Sequence, residues 1–137
     1  MCNQNDNSGC IAEILTVISI LQKNATCTES LESCDRGFLA CGTTMGCNTR
    51  PVMLYTAFGN GTAWSMPISR DPAETETSNI FRVEKIEDNC ATFRVLTPNP
   101  DTTETTIPYV ATSSFFTMDL NCCCVIRCLA DTFVEGV

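Results

Sequence analysis

Eleven of the 137 residues are cysteine, histidine is absent, and no two cysteines stand in a Cys-x2-Cys spacing. Small secreted domains use many disulfides because they cannot build a core. This chain is long enough to bury one, so its thiols need another explanation. Three remain: metal ligands, redox catalysis, or thiols that oxidise only after the protein reaches its final location. A structural zinc site brings Cys-x2-Cys knuckles, often joined by histidine. A dithiol oxidoreductase needs Cys-x2-Cys at a helix start, or a low-pKa thiol beside a base. Neither pattern is present. Ser/His/Asp and Cys/His nucleophile systems fall with the missing histidine.

The tightest group is Cys122-Cys123-Cys124, followed by Cys128. On a strand, Cys122, Cys124 and Cys128 share one face and Cys123 takes the other. Three thiolates on one face suit a soft metal ion. They equally suit small apolar core residues, or disulfides within or between chains. The odd total means that at least one cysteine is free or reaches another chain. Cys2, on a polar arm, is the first intermolecular candidate, and Cys10, at the start of a predicted helix, is the second.

Charge narrows the function further. Eight Lys+Arg against 16 Asp+Glu leave a net charge of −8, which argues against binding the phosphate backbone of nucleic acid. Residues 1–9 carry no basic residue and no apolar run, so no signal peptide is expected. The longest apolar-rich stretch, Cys10 to Leu21, contains Glu13 and falls short of the roughly 20 residues of a bilayer span. A chain made in a cytoplasm, with reduced thiols and no membrane insertion, is the expectation. The carboxylate pairs Glu74/Glu76 and Glu87/Asp88 lie in polar loops and read as solvated surface. No glycine-rich phosphate cradle occurs. The Asn24-Ala25-Thr26 and Asn60-Gly61-Thr62 triplets read as chance matches rather than glycan sites. No catalytic residue, cofactor site or resident metal is expected.

Along the chain, residues 1–9 form a polar arm. Ile11, Ile14, Leu15, Ile18 and Leu21 recur at helical spacing, widened by Val17 and Ile20, and predict a helix over 10–22. Its stripe reads as core packing or as a face for a partner. Residues 24–49 form an irregular segment holding Cys27, Cys34, Cys41 and Cys47. A β domain is predicted over 50–129, with strands at Pro51–Thr56, Thr62–Ile68, Ile80–Ile86, Cys90–Leu96, Tyr109–Thr112, Ser114–Leu120 and Cys122–Leu129. The hairpin around Glu87-Asp88-Asn89 puts Phe81 and Val83 on the same face as Phe93 and Val95. Residues 130–137 read as a C-terminal tail. The expected fold is mainly β: a single antiparallel β-sandwich or barrel-like domain over 10–129, with one N-terminal helix and a cysteine-rich irregular segment.

Several segments in order resemble a known family: Thr49-Arg50-Pro51, Leu54-Tyr55-Thr56, Ile80-Phe81-Arg82-Val83-Glu84, Cys90, Phe93-Arg94-Val95-Leu96 and the closing run from Asp119 to Leu129. They are similar to the cysteine-rich spore coat protein Y/Z and exosporium protein Y family of endospore-forming bacilli. The resemblance implies a non-enzymatic structural protein of the outermost spore layer, the crust or exosporium basal layer. It implies synthesis in the mother-cell cytoplasm and self-assembly into hexagonally ordered sheets, alone or with other spore coat or exosporium proteins. It also implies that disulfides make the sheets insoluble. The cross-linking candidates are then Cys2, Cys10, Cys27, Cys34, Cys41, Cys47, Cys90, Cys122, Cys123, Cys124 and Cys128. Two other readings stay open: a thiolate metal-binding protein using Cys122, Cys124 and Cys128, and a fibre-forming subunit that donates its N-terminal arm.

Overall fold

The computed structural model describes residues 9–25, 46–101, 103 and 107–137. The polar arm with Cys2, and Cys27, Cys34 and Cys41 of the irregular segment, lie outside the described residues. Helix α1 spans Cys10–Ala25, three residues past the predicted end. It starts where the Gly9 carbonyl accepts from the Glu13 amide, and it has no internal Gly or Pro to break it. Glu13 in its first turn and Lys23 in its last complement the helix dipole.

The strands are β1 (Val52–Thr56), β2 (Met66–Pro67), β3 (Thr77–Ser78), β4 (Ile80–Glu87), β5 (Cys90–Pro98), β6 (Tyr109–Asp119) and β7 (Cys123–Cys128). A 3-10 turn, Leu120–Cys122, links β6 to β7. All pairings are antiparallel. One sheet has the order β6-β5-β4-β1-β7, and β2-β3 form a separate two-stranded ribbon. The domain is thus mainly β with one N-terminal helix, as its sequence predicts.

The two edge strands of the larger sheet are joined by only three residues. From Asp119 to Cys123 the chain reaches about 14 Å at full stretch. Four inter-strand steps of a flat sheet would take about 19 Å. The sheet therefore curls enough to bring the end of β6 near the start of β7, although the two edge strands do not pair. Helix α1 packs on β4 and β7 and adds Ile11, Ala12, Leu15 and Ile18 to the core.

The predicted hairpin is present with its register. Phe81 faces Val95 and Val83 faces Phe93, all four fully buried. Asp88 adopts φ +53°, the left-handed conformation that a two-residue connection demands. Phe81, Phe93 and Phe116 form an aromatic cluster: Phe116 meets Phe81 edge-on at 4.8 Å and stacks on Phe93 at 5.2 Å. The predicted strand at Thr62–Ile68 shortens to β2. The predicted strands at Tyr109–Thr112 and Ser114–Leu120 are one strand, irregular where they were divided. There the β5 register shifts between Arg94 and Leu96, and the Thr112 hydroxyl donates to the Val95 carbonyl at 2.6 Å.

Bulges reset which side chains point inward. In β4 the register shifts around Glu84, so Phe81 and Val83 face the core, and then Ile86 does. Glu84 is thereby placed beside Arg82 and Arg94, which stand directly opposite each other. Its Oε2 accepts from Arg82 Nη1 at 2.9 Å and from Arg94 Nε at 3.1 Å, offsetting a like-charge pair. Arg82, only 5% exposed, also donates to Thr49 Oγ1 and to the Asn48 carbonyl. The chain end closes over the same place. Thr49 pairs with Thr132, Asn48 bonds the Val134 backbone in both directions, and Val134 is fully buried. Residues expected as a tail are thus anchored to the domain.

One side of α1 departs from expectation. Ile11, Ala12, Leu15 and Ile18 enter the core, with Ser19 and Gln22 buried beside them. Gln22 ties the helix end to the sheet, donating to the Val83 carbonyl at 2.8 Å and accepting from the Arg50 amide at 3.1 Å. Ile14, Val17 and Ile20, read as part of one broad core stripe, are 41%, 55% and 52% exposed.

Candidate cross-linking cysteines

Six of the described cysteines are thiols outside any disulfide: Cys10, Cys90, Cys122, Cys123, Cys124 and Cys128. The seventh, Cys47, is buried and disulfide-bonded. Cys10 is exposed at the first position of α1, and Cys90 is exposed at the first position of β5. Cys122 is exposed at the end of the 3-10 turn.

These three thiols sit toward one end of the domain. The first turns of α1, through Ala12, Glu13 and Thr16, line a shallow pocket with Ile86 of β4 and Asp88 of the β4–β5 turn. Cys90 follows that turn, and the turn's Asn89 carbonyl accepts from the Leu120 amide, two residues before Cys122. Cys128 lies elsewhere. It pairs across from Val52, next to Arg50, whose amide bonds the last turns of α1 through Gln22. Sixteen helical residues span about 24 Å. A disulfide needs Cα atoms within about 7 Å.

The triple cluster is arranged differently from a regular strand. The Asp119 carboxylate accepts from the Asn121 amide at 3.0 Å, starting the 3-10 turn and turning Leu120 into the core. Cys122 is used up in that turn. In β7, Tyr55 pairs with Val125 but Thr56 pairs with Cys123, so Cys124 is the extra residue of a bulge. Cys123 is consequently the buried thiol, 4% exposed and within the hydrophobic core, while Cys122 and Cys128 are exposed and Cys124 is half-buried. The prediction of Cys122, Cys124 and Cys128 on one face with Cys123 on the other is overturned by the turn and the bulge. Among the described residues, no group of three or more Cys, Asp or Glu side chains is placed to hold a metal ion.

The environments sort the thiols chemically. Burial pushes the Cys123 thiol up, outweighing hydrogen bonds from Tyr55 and Val125 that act the other way. Its Sγ donates to the Val125 carbonyl at 3.5 Å. Cys128 is also raised, chiefly because its surroundings desolvate the sulfur, despite the opposing charge of Arg50. Arg50 itself is held at 2.6 and 2.8 Å by Asp131, which keeps it oriented toward its carboxylate partner. A raised pKa leaves less thiolate for oxidation or exchange at neutral pH. The buried sulfur of Cys123 is therefore the least reactive of the group.

The family model for spore coat protein Z matches residues 1–131. The chain belongs to the spore coat protein Z family. As a member it is a structural protein of the spore surface. No curated protein and no solved structure matches it. Within the spore coat protein Z fold, the sequence signal for the burial of Cys123 is Asp119-Leu120-Asn121, a pair of turn-forming residues around one apolar residue at the strand junction. The anchoring of Arg82 by Asn48 and Thr49 has no local signal, because those residues stand more than thirty positions away.

Proposed function

We propose that this chain is a self-assembling subunit of the outermost spore layer, crust or exosporium basal layer, whose ordered sheets are locked by disulfides between subunits. The observation that carries this is the outward placement of free thiols at two ends of one domain: Cys10, Cys90 and Cys122 toward one end, Cys128 toward the other. Cys128 lies toward the end of α1 opposite Cys10, beyond bridging distance of that thiol within one subunit, and it is open to neighbours. The hydrophobic core is complete without these sulfurs, so oxidation is free to serve assembly.

In the mother cell the subunits keep their exposed thiols Cys10, Cys90, Cys122 and Cys128 reduced and associate first through non-covalent contacts. Heterologous contacts that close give rings, here hexameric ones, and rings tile into sheets together with other coat or exosporium proteins. Many weak repeated contacts hold such a sheet by avidity. Mother-cell lysis then admits oxidant, and two thiols already held together lose two protons and two electrons to it as the S–S bond forms. A charge of −8 per subunit keeps the finished surface hydrated.

The test is electron microscopy of the purified chain in excess reductant and after oxidation, with gels run without reductant. Ordered sheets are expected in reductant, turning detergent-resistant only on oxidation. The triple variant Cys10→Ser, Cys90→Ser, Cys122→Ser is expected to assemble yet dissolve more readily in hot detergent. Arrays that never form until oxidant is added would show that disulfides build the lattice, and would overturn this order of events.

A further inference from the structure

Cys47 stands apart from the other described cysteines. It is buried and disulfide-bonded within a single chain, while the other six are thiols outside any disulfide. It follows Gly46, which bends the chain at φ +79°, and it precedes the two residues that receive the buried Arg82 guanidinium. Thr49 Oγ1 accepts from Arg82 Nε at 2.9 Å, and the Asn48 carbonyl accepts from Arg82 Nη2 at 3.1 Å. The third partner, Glu84, is divided between Arg82 and Arg94. A buried charge that loses part of its hydrogen bonding is costly, so the domain depends on Asn48 and Thr49 staying in place.

Upstream of β1 these two residues are held by polar contacts. Thr49 and Thr132 form one isolated bridge rather than a ladder, and Asn48 bonds the Val134 backbone. A covalent tie at Cys47 lies one and two residues away, where the chain reaches about 4 and 7 Å at most. We propose that the Cys47 disulfide is an intrachain clamp that holds Asn48 and Thr49 on Arg82, and that it takes no part in joining subunits. Cys47 is thereby withdrawn from the cross-linking set, which keeps the exposed thiols.

The two kinds of disulfide differ in access. A bridge made by exposed Cys10, Cys90, Cys122 or Cys128 is open to a reductant in solution. Attack on the buried Cys47 sulfur waits until the domain opens locally. Reductant therefore cuts the links between subunits before it loosens the subunit itself. Opening the clamp takes two electrons and two protons from a dithiol reductant, which becomes its own disulfide. The clamp is a property of one subunit, so its test does not depend on assembly.

The experiment uses the full-length, oxidised, soluble subunit: wild type, Cys47→Ser, and the triple variant Cys10→Ser, Cys90→Ser, Cys122→Ser. Peptide mapping without reductant is expected to find Cys47 bridged in the monomer. Stepwise addition of a dithiol, with alkylation at each step, is expected to label Cys47 last. As it opens, the thermal midpoint should fall by about 5–15 °C, as for loss of a native disulfide from a domain of this size. The Asn48, Thr49, Thr132 and Val134 amides all bond across this junction. Their hydrogen exchange should speed up by roughly tenfold or more, while the β5 amides change less. The triple variant should respond to reductant as wild type does. Cys47→Ser should start from the lowered midpoint and ignore reductant; if it does not fold, wild type with and without reductant carries the same comparison. Cys47 found as a thiol in the oxidised monomer, or bridged between subunits, would overturn the proposal. So would unchanged exchange at those four amides once the bond is open, since the disulfide would then have no hold on the Arg82 site.

Discussion

Replacing Phe93 by alanine tests the core that α1 and the larger sheet share. Phe93 is fully buried, stacked on Phe116 at 5.2 Å and 6.2 Å from Phe81. Removing a buried ring forfeits about 2–3 kcal/mol of transfer free energy. A cavity of some 80–100 Å³ at about 24 cal/mol per Å³ adds about 2 kcal/mol where the surroundings do not collapse. The expected loss is then about 3–5 kcal/mol, a large share of the 5–15 kcal/mol by which such domains are stable. Two exposed rings calibrate the measurement. Phe115 is 46% exposed and lies under the Arg94 guanidinium at 4.4 Å, so Phe115→Ala should cost about 1 kcal/mol. Phe58 is 88% exposed, and Phe58→Ala should stay within about 0.5 kcal/mol of wild type. The assay is guanidinium unfolding of soluble subunits, all handled under one redox condition, with the midpoint compared at constant slope. A Phe93→Ala loss below about 1 kcal/mol would mean an open face and a β4–β5 register displaced by one residue, refuting the fold described above.

Cys123→Ser should destabilise by about 1–2 kcal/mol, since a more polar hydroxyl replaces the sulfur in the core, whereas Cys122→Ser should be silent. The same unfolding assay separates them. Because burial raises Cys123 and desolvation raises Cys128, the native chain keeps these protons longer than the unfolded chain does. Their effect on stability is flat below the ordinary thiol value of 9.0 and becomes a loss as pH climbs from there toward the raised values. Cys123→Ser should flatten that alkaline decline, and an unchanged slope would count against the buried sulfur. Glu84→Ala should cost about 2–3 kcal/mol, below the usual figure for breaking a buried pair because Glu84 stays 21% exposed. Glu87→Gln, which breaks only the exposed Lys85–Glu87 pair, should leave the unfolding midpoint where it was.

Local pattern alone determined the hairpin and the helix, and shows that no Cys-x2-Cys motif is present. Phe81, Val83, Phe93 and Val95 alternate with a period of two over a short span, and that alternation holds until a bulge interrupts it. The helix was readable from apolar spacing, and the exclusion of zinc knuckles and redox motifs follows from cysteine spacing without any coordinates. Which thiol is buried was decided by tertiary structure, because a 3-10 turn and a bulge together shift the phase of Cys122–Cys124 by amounts that period-two reasoning cannot contain. Which half of the α1 stripe meets the core was decided the same way. Ile11 and Ile14 are equally apolar, and only the docking of the helix, fixed through Gln22 to Val83 and Arg50, turns one inward and the other out. Arg82 reads locally as an ordinary charged residue on a strand. Its burial depends on Asn48, Thr49 and Thr132 arriving from distant parts of the chain to satisfy or enclose it. Short-range periodicity sets what each segment can become; the partners that make burial of a charge or a thiol affordable come from elsewhere in the chain, and only the folded arrangement brings them together.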